Sequence, residues 1–118
     1  MEKGVTRNRL SKNGRITDPL EFRNVMREGR KAASRNFVVF LKNGKKEFHR
    51  LGIVVQKEIG SASYRNRVKR LIREFFRLHR FKMGGAFDCV VLVRKGCTVG
   101  NYSEVREELG RVFSIGEQ

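Results

Sequence analysis

Arg65, Asn66, Arg67, Lys69, Arg70, Arg73, Arg77 and Arg80 are the residues whose types and spacing point most directly to chemistry. Most are fixed cations carrying several N–H donors, and the natural counterpart of such a cluster is a phosphate or another anion. From Arg65 to Lys82 there are eight basic residues and a single acid, Glu74. A solvated helix usually mixes its charges in i, i+4 pairs of opposite sign. This stretch does not, which predicts that its positive face is held against something negative. Other reactive types are sparse. Two Cys and two His at unrelated spacings make no zinc site. Cys89 falls in a predicted strand and reads as a small buried residue, and Cys97 falls in the loop after it and reads as a free thiol.

These cations need a rigid carrier. Ile59 to Arg80 reads as one amphipathic helix, with apolar residues at Val68, Leu71, Ile72, Phe75 and Phe76 in the i, i+3, i+4, i+7, i+8 pattern. At roughly 100° per residue, Asn66, Lys69, Arg70, Arg73, Arg77 and Arg80 share a different arc, with Arg65 and Arg67 at its borders. Ser61 or Ser63 can cap the helix, and its first-turn amides with Arg65 and Arg67 suit a phosphate.

The remaining elements must supply the surface on which this helix packs. Residues 1–16 form a basic arm, read either as frayed or as ordering on RNA. Residues 18–28 make a helix with Asp18 as N-cap, Pro19 at N1, Glu21 completing a capping-box-like arrangement and Gly29 at C′. Its apolar positions are Leu20 and Val25, with Phe22 and Met26, over an arc wide enough for part of it to line a cleft. Residues 30–35 read as an edge strand or a loop. Phe37 to Leu41 is a strand, Asn43-Gly44 a turn, and Phe48 to Gln56 the return strand of a hairpin. Alternation places Phe37, Val39 and Leu41 on one face and Val38 and Phe40 on the other. Both faces are apolar, so one is covered by a helix and the other is covered or binds something. Phe37 and Phe40 are candidates for an aromatic platform that stacks bases, against the alternative that both are core. Met83-Gly84-Gly85 ends the helical region, Ala86 to Val93 is a buried strand, and Tyr102 to Phe113 is a structural helix carrying Glu104, Glu107 and Glu108. The sum is α+β, with helices packed on one mixed or antiparallel sheet.

Composition narrows the partner. The 118 residues suffice for one domain with its own core. Lys and Arg total 27 against 12 Asp and Glu, a net charge of +15, and a polyanion would relieve the self-repulsion. Nucleic acid is favoured over an anionic membrane. No run of about 18 apolar residues is present, and the apolar side of the basic helix suits a protein core. The N-terminus is charged with no apolar stretch, so no signal peptide is read there and a cytoplasmic location is expected.

With these residues in place, the sequence resembles the protein subunit of bacterial ribonuclease P, from about Arg7 to Phe113. The most specific part is Ala62-Ser63-Tyr64-Arg65-Asn66-Arg67-Val68-Lys69-Arg70-Leu71-Ile72-Arg73, which is similar to the family's RNR signature. Arg7-Asn8-Arg9-Leu10, the Phe22 helix ending Glu28-Gly29, the strand Phe37 to Phe40, Leu51-Gly52-Ile53 followed by Lys57, and Phe87-Asp88 agree in order and spacing. The resemblance implies a single αβββαβα domain with helices on a four-stranded mixed sheet. It would be similar to the second domain of a small-subunit ribosomal protein, with a left-handed β-α-β crossover, an exception to the usual hand. It implies an endonuclease that frees the mature 5′ end of tRNA, with catalysis carried by the RNA subunit and its Mg²⁺ ions. The implied partners are ribonuclease P RNA and precursor tRNA, with no membrane and no DNA. Arg65, Asn66, Arg67, Lys69, Arg70 and Arg73 fall on the family's RNR region, which contacts the catalytic RNA; Arg77 continues the same arc. Phe22 and Phe40 fall on aromatic positions of a central cleft that holds the single-stranded 5′ leader. Met26 falls where relatives often have a third aromatic, Lys57 on a basic cleft-edge position, and Glu58 where a second Lys is common.

No catalytic side chain and no protein metal site is read in the chain, and His49 and His79 read as RNA-facing or surface residues. The rival reading is a structural RNA-binding protein, such as a ribosomal protein, using the same basic helix. A DNA-binding recognition helix is disfavoured, because the turn before Ile59 follows a strand and not a helix.

Overall fold

The computed structural model describes residues 14–44, 48–80 and 86–114. They form α1 (Pro19–Glu28), β1 (Arg30–Ala33), β2 (Phe37–Asn43), β3 (Arg50–Val54), α2 (Ala62–His79), β4 (Phe87–Val93) and α3 (Tyr102–Val112), with a 3-10 turn over Lys57–Ile59 leading into α2. This is the expected αβββαβα order. Each helix starts on a polar cap that satisfies an orphan amide. Asp18 Oδ1 accepts from Leu20 N at 3.0 Å, Ser61 Oγ from Tyr64 N at 3.1 Å, and Asn101 Oδ1 from Glu104 N at 3.0 Å. The capping box expected of Glu21 does not form, because both its carboxylate oxygens are taken by Arg50. Gly29 ends α1 in extended backbone; it is needed for close approach, since a Cβ there would lie 2.6 Å from Val25 O and 2.7 Å from Leu41 O.

The four strands form one sheet in the order β1-β2-β4-β3. β1 pairs antiparallel with β2, β2 antiparallel with β4, and β3 parallel with β4. The expected hairpin between the second and third strands is therefore corrected. The turn signal at Asn43-Gly44 ends β2 as read, but β3 does not pair with β2 because β4 lies between them. The physical reason is the composition of β4. Cys89, Val90 and Val91 are all buried, and a strand apolar on both faces is stable only where neighbours and helices cover it. The paired hairpin in the structure is β1–β2, joined through Ser34 to Asn36, where Ser34 N donates to Phe37 O.

Alternation divides the sheet into two faces. Phe37, Val39, Leu51, Cys89, Val91 and Val93 meet Val68, Ile72, Phe75 and Phe76 of α2 and Val105 and Leu109 of α3 in the larger core. On the other face, Phe40 and Val90 meet Val25 of α1 and Ile16, with Phe22, Met26, Val38, Val54 and Leu92 partly buried around them. Ile16 is fixed by its N–H to Leu51 O at 2.9 Å, so the chain just ahead of α1 lies along β3. Residues 1–13 of the basic arm, 45–47 of the loop and 81–85, including Met83-Gly84-Gly85, lie outside the described residues. Among the described residues no helix is long and apolar enough to cross a membrane.

Two polar clusters hold the layers. Arg50 is buried and grips Asp88 through Nε and Nη2, both at 3.0 Å, and Glu21 through Nη1 and Nη2 at 3.2 and 3.3 Å. Hydrogen bonding to Asp88 raises the guanidinium pKa further, so Arg50 stays charged. This triad ties α1 to β3 and β4. On the far side, Glu108 of α3 accepts from Asn36 N at 2.6 Å, Asn36 Nδ2 at 2.7 Å and Ser34 Oγ, which locks the β1–β2 loop onto α3.

Of the two histidines read as RNA-facing or surface, His49 is structural, whereas His79 is partly exposed. His49 is buried; its Nδ1 accepts from Phe87 N at 3.2 Å, and its ring lies 4.1 Å from that of Phe87. Burial depresses its pKa and keeps it neutral, which suits an acceptor nitrogen. His79 stacks on Phe75 with centroids 4.4 Å apart. Cys89 and Cys97 are both free and both buried, so the loop thiol is less accessible than its position suggested.

Because the Arg50 charges are compensated only as a set, Asp88→Ala is expected to cost about 3–5 kcal/mol in urea unfolding. A loss within about 1 kcal/mol, the range of an exposed pair, would show that α1 docks without this triad.

Candidate nucleic-acid interface

The buried stripe of α2, Val68, Ile72, Phe75 and Phe76, faces the sheet and turns the opposite arc outward. The two borders of that arc are clamped. On one side Arg65 Nη1 donates to Gly60 O at 2.8 Å and Lys57 O at 3.4 Å, so it fixes the 3-10 turn that follows β3. On the other side Arg67 Nη2 donates to Gly100 O. Tyr64 reinforces this border from inside: its hydroxyl donates to Val99 O at 2.7 Å, and burial followed by the Cys97 contact pushes its pKa up to about 12. Arg77 is neutralised by Glu74, one turn earlier, with Nη2 to Oε2 at 2.6 Å. Asn66 and Arg70 are exposed, and Lys69, Arg70 and Arg73 make no hydrogen bond or ion pair among the described residues. The centre of the arc thus carries unneutralised cations on a helix fixed along both sides.

The second candidate surface is on the opposite face of the sheet. Strand register resolves it into three cross-strand rows. Lys42, Asp88 and Arg50 form a charged row. Lys31, Phe40, Val90 and Gly52 form the next, roofed by Ile16 and α1. Ala33, Val38, Leu92 and Val54 form the last, and there the helix cover ends: Val38, Leu92 and Val54 are only partly buried. The result is an apolar floor beside a wall made by Phe22 and Met26. Lys57 and Glu58 are exposed in the turn after β3, at the end of the strand that carries Val54.

Not all the expected cleft residues reach this surface. Phe22 and Met26 are partly exposed and line it. Phe40 belongs to it but is 7% exposed, so only an edge is available. Phe37 is 0% exposed in the core under α2 and cannot stack on a base; the platform reading is corrected for it. The reason is alternation, which places residues 37 and 40 of one strand on opposite faces. Val38, Val54 and Leu92 were missed. Val38 was legible from the same alternation, whereas Val54 and Leu92 join it only through the pairing of β3 and β2 with β4. Lys31 is opposite Phe40 by register and likewise had no local signal.

One contact sets the depth of the cleft. A Cβ built on Gly52 would lie 2.5 Å from Phe22 Cε1 and 2.7 Å from Cζ, so the Phe22 ring rests directly on the bare backbone of β3. No group of three or more His, Cys, Asp or Glu side chains able to hold a metal ion occurs among the described residues.

Comparison with known proteins points to one family. The family model described as Ribonuclease P matches residues 10–115. The ribonuclease P protein component of Halalkalibacterium halodurans is 41% identical over 105 residues, covering 87% of this chain and 87% of that protein. The one from Desulforapulum autotrophicum is 36% identical over 102 residues, covering 86% and 87%. Among solved structures, the Staphylococcus aureus RNase P protein superposes with a TM-score of 0.78 at 33% identity, covering 88% of this chain and 95% of that one. The Thermotoga maritima RNase P protein gives 0.76 at 31% identity, covering 88% and 98%.

The Phe22–Gly52 contact has a direct test. Gly52→Ala must drive the ring outward over Val54 and Leu92, and it is expected to cost about 1–3 kcal/mol in denaturant unfolding. The Ile16 and Val54 methyl resonances should shift with it. Unchanged shifts would show that the ring does not rest on Gly52.

Proposed function

The chain belongs to the bacterial ribonuclease P protein family, and from that membership we propose that its two surfaces divide the family's work in processing precursor tRNA. The outward face of α2, centred on Asn66, Lys69, Arg70 and Arg73 and flanked by Arg65, Arg67 and Arg77, docks on the RNA subunit. The cleft of Phe22, Met26, the edge of Phe40 and the Val38, Leu92, Val54 row holds the single-stranded 5′ leader, with Lys57 as a cation at its mouth. Cleavage belongs to the RNA subunit and its Mg²⁺ ions, and the complex works in the cytoplasm.

The observation that carries this reading is that the two surfaces lie on opposite faces of one sheet. A structured RNA needs cations fixed at defined positions, and α2 presents them on a helix clamped at both borders. A leader of arbitrary sequence needs stacking and dispersion with little base-edge readout, and an apolar floor with one aromatic and one thioether wall offers that. Glu58 adds a negative charge next to Lys57, which weakens the electrostatic part of leader binding. Neither histidine is placed for chemistry, since His49 is buried as an acceptor and His79 lies on Phe75.

Cleavage of a precursor tRNA at low Mg²⁺ by a bacterial ribonuclease P RNA, with and without the protein, tests the whole. The protein is expected to raise cleavage and to cut nothing alone; no gain and no RNA retention would refute the proposal. Lys69→Ala with Arg70→Ala is the clean probe of the dock, because Arg65 and Arg67 also hold backbone. Affinity for the RNA subunit should fall, with the log-log salt slope shallower by about 0.7–0.9 for each phosphate that is no longer neutralised. An unchanged slope would mean that this face is only solvated. Phe22→Ala should weaken binding of long-leader substrates more than leaderless ones, whereas Phe37→Ala should unfold more easily by about 3–5 kcal/mol. Equal loss for both substrate classes with Phe22→Ala would exclude Phe22 from the leader path.

A further inference from the structure

Arg15 lies outside the RNR stretch, and the fold brings it to the same surface. The chain ahead of α1 runs parallel to β3, with Arg15 in register with Leu51. Leu51 points into the core under α2, while the next residue, Ile16, is buried on the α1 face. Alternation therefore turns Arg15 to the α2 side of the sheet edge. On α2, Arg65, Lys69 and Arg73 recur every four residues, about 6 Å apart along the axis, on the side that overlooks β3. Arg65 shows which side this is by reaching Lys57 O and Gly60 O beyond the end of β3. Arg73 is close enough to Arg15 for the second positive charge, after burial, to depress its pKa.

Two guanidinium groups thus lie near each other on the β3 side of α2. Neither has a carboxylate partner among the described residues; Glu74, the nearest acid in α2, is held by Arg77. Like charges placed near each other, with Arg73 partly buried, cost free energy in the isolated protein. That cost is recovered when an anion with several acceptor oxygens sits between them. A backbone phosphodiester fits, because each of its two free oxygens can take a guanidinium fork.

We propose that Arg15 and Arg73 together clamp one backbone phosphate of the RNA subunit, which extends the dock from α2 onto the edge of β3. This rests on the reading of α2 as the RNA-subunit dock and adds a contact outside its signature. Arg15→Ala keeps Ile16 and its bond to Leu51, so the variant is expected to fold, with a melting temperature equal to or above that of the parent protein once the like charge is gone.

The test is a double-mutant cycle on affinity for ribonuclease P RNA across a salt series, using the parent protein, Arg15→Ala, Arg73→Ala and the double variant. Each single change is expected to cost about tenfold or more, and the double variant little beyond either one, because the same phosphate goes unheld in all three. The salt slope should drop by the same single increment in each. Losses that multiply, or no loss with Arg15→Ala, would overturn the clamp while leaving the dock on α2 standing. Failure of the parent protein to bind the RNA would overturn both.

Discussion

The constraint on which the structure depends is that β4 is apolar on both faces. A strand with Cys89, Val90, Val91 and Val93 buried has to sit inside the sheet and carry a helical layer on each side. Placing it between β2 and β3 turns Phe37 and Val39 to the same side as Cys89 and Val91, and this is the bed for the Val68, Ile72, Phe75, Phe76 stripe of α2. The cations of α2 then have only one direction to face. On the other side, α1 is too short to cover the whole sheet. It seals the row of Phe40 and Val90 and leaves the row of Val38, Leu92 and Val54 half open. The outward cationic face and the half-open cleft are two consequences of burying one strand.

Charge is arranged with the same economy. The chain carries +15, yet most of the described carboxylates work inside the fold. Glu21 and Asp88 hold Arg50, Glu28 holds Lys42, Glu74 holds Arg77, Glu108 holds the β1–β2 loop, and Glu104 accepts from Gly100 N. Apart from Glu74, which pairs with Arg77 on α2 itself, acids employed as internal fasteners cannot neutralise the outward face of α2. The positive surface follows from where the negative charges are committed as much as from the number of arginines. It also explains why α3, rich in glutamate, is structural: Glu108 and Glu104 bind backbone amides at the two loops that flank it.

The RNR arginines show how one stretch divides its side chains between holding the fold and facing outward. Arg65 and Arg67 lie at the borders of the cationic arc, where a guanidinium can span from the helix to a neighbouring carbonyl. Their forks stiffen the turn after β3 and the loop before α3. Lys69, Arg70 and Arg73 between them are left without such work. A helix anchored at its edges presents the central charges with little conformational freedom to lose on binding.

The sequence by itself determined the elements and their polarity. The cap at Asp18, the buried stripe of α2 and its cationic arc, and the opposite facing of Phe37 and Phe40 are all local periodicities or local hydrogen bonds, and the RNR signature is a contiguous string. What only the tertiary structure decided is which strands are neighbours and what each residue meets across them. The insertion of β4 between β2 and β3, the fate of Phe37 as core, the seating of Phe22 on Gly52, the capture of Glu21 by Arg50, the burial of His49 and the nearness of Arg15 to Arg73 join residues far apart in the chain. Pairing and register are set by the summed burial of whole faces, and no single stretch of sequence encodes that sum.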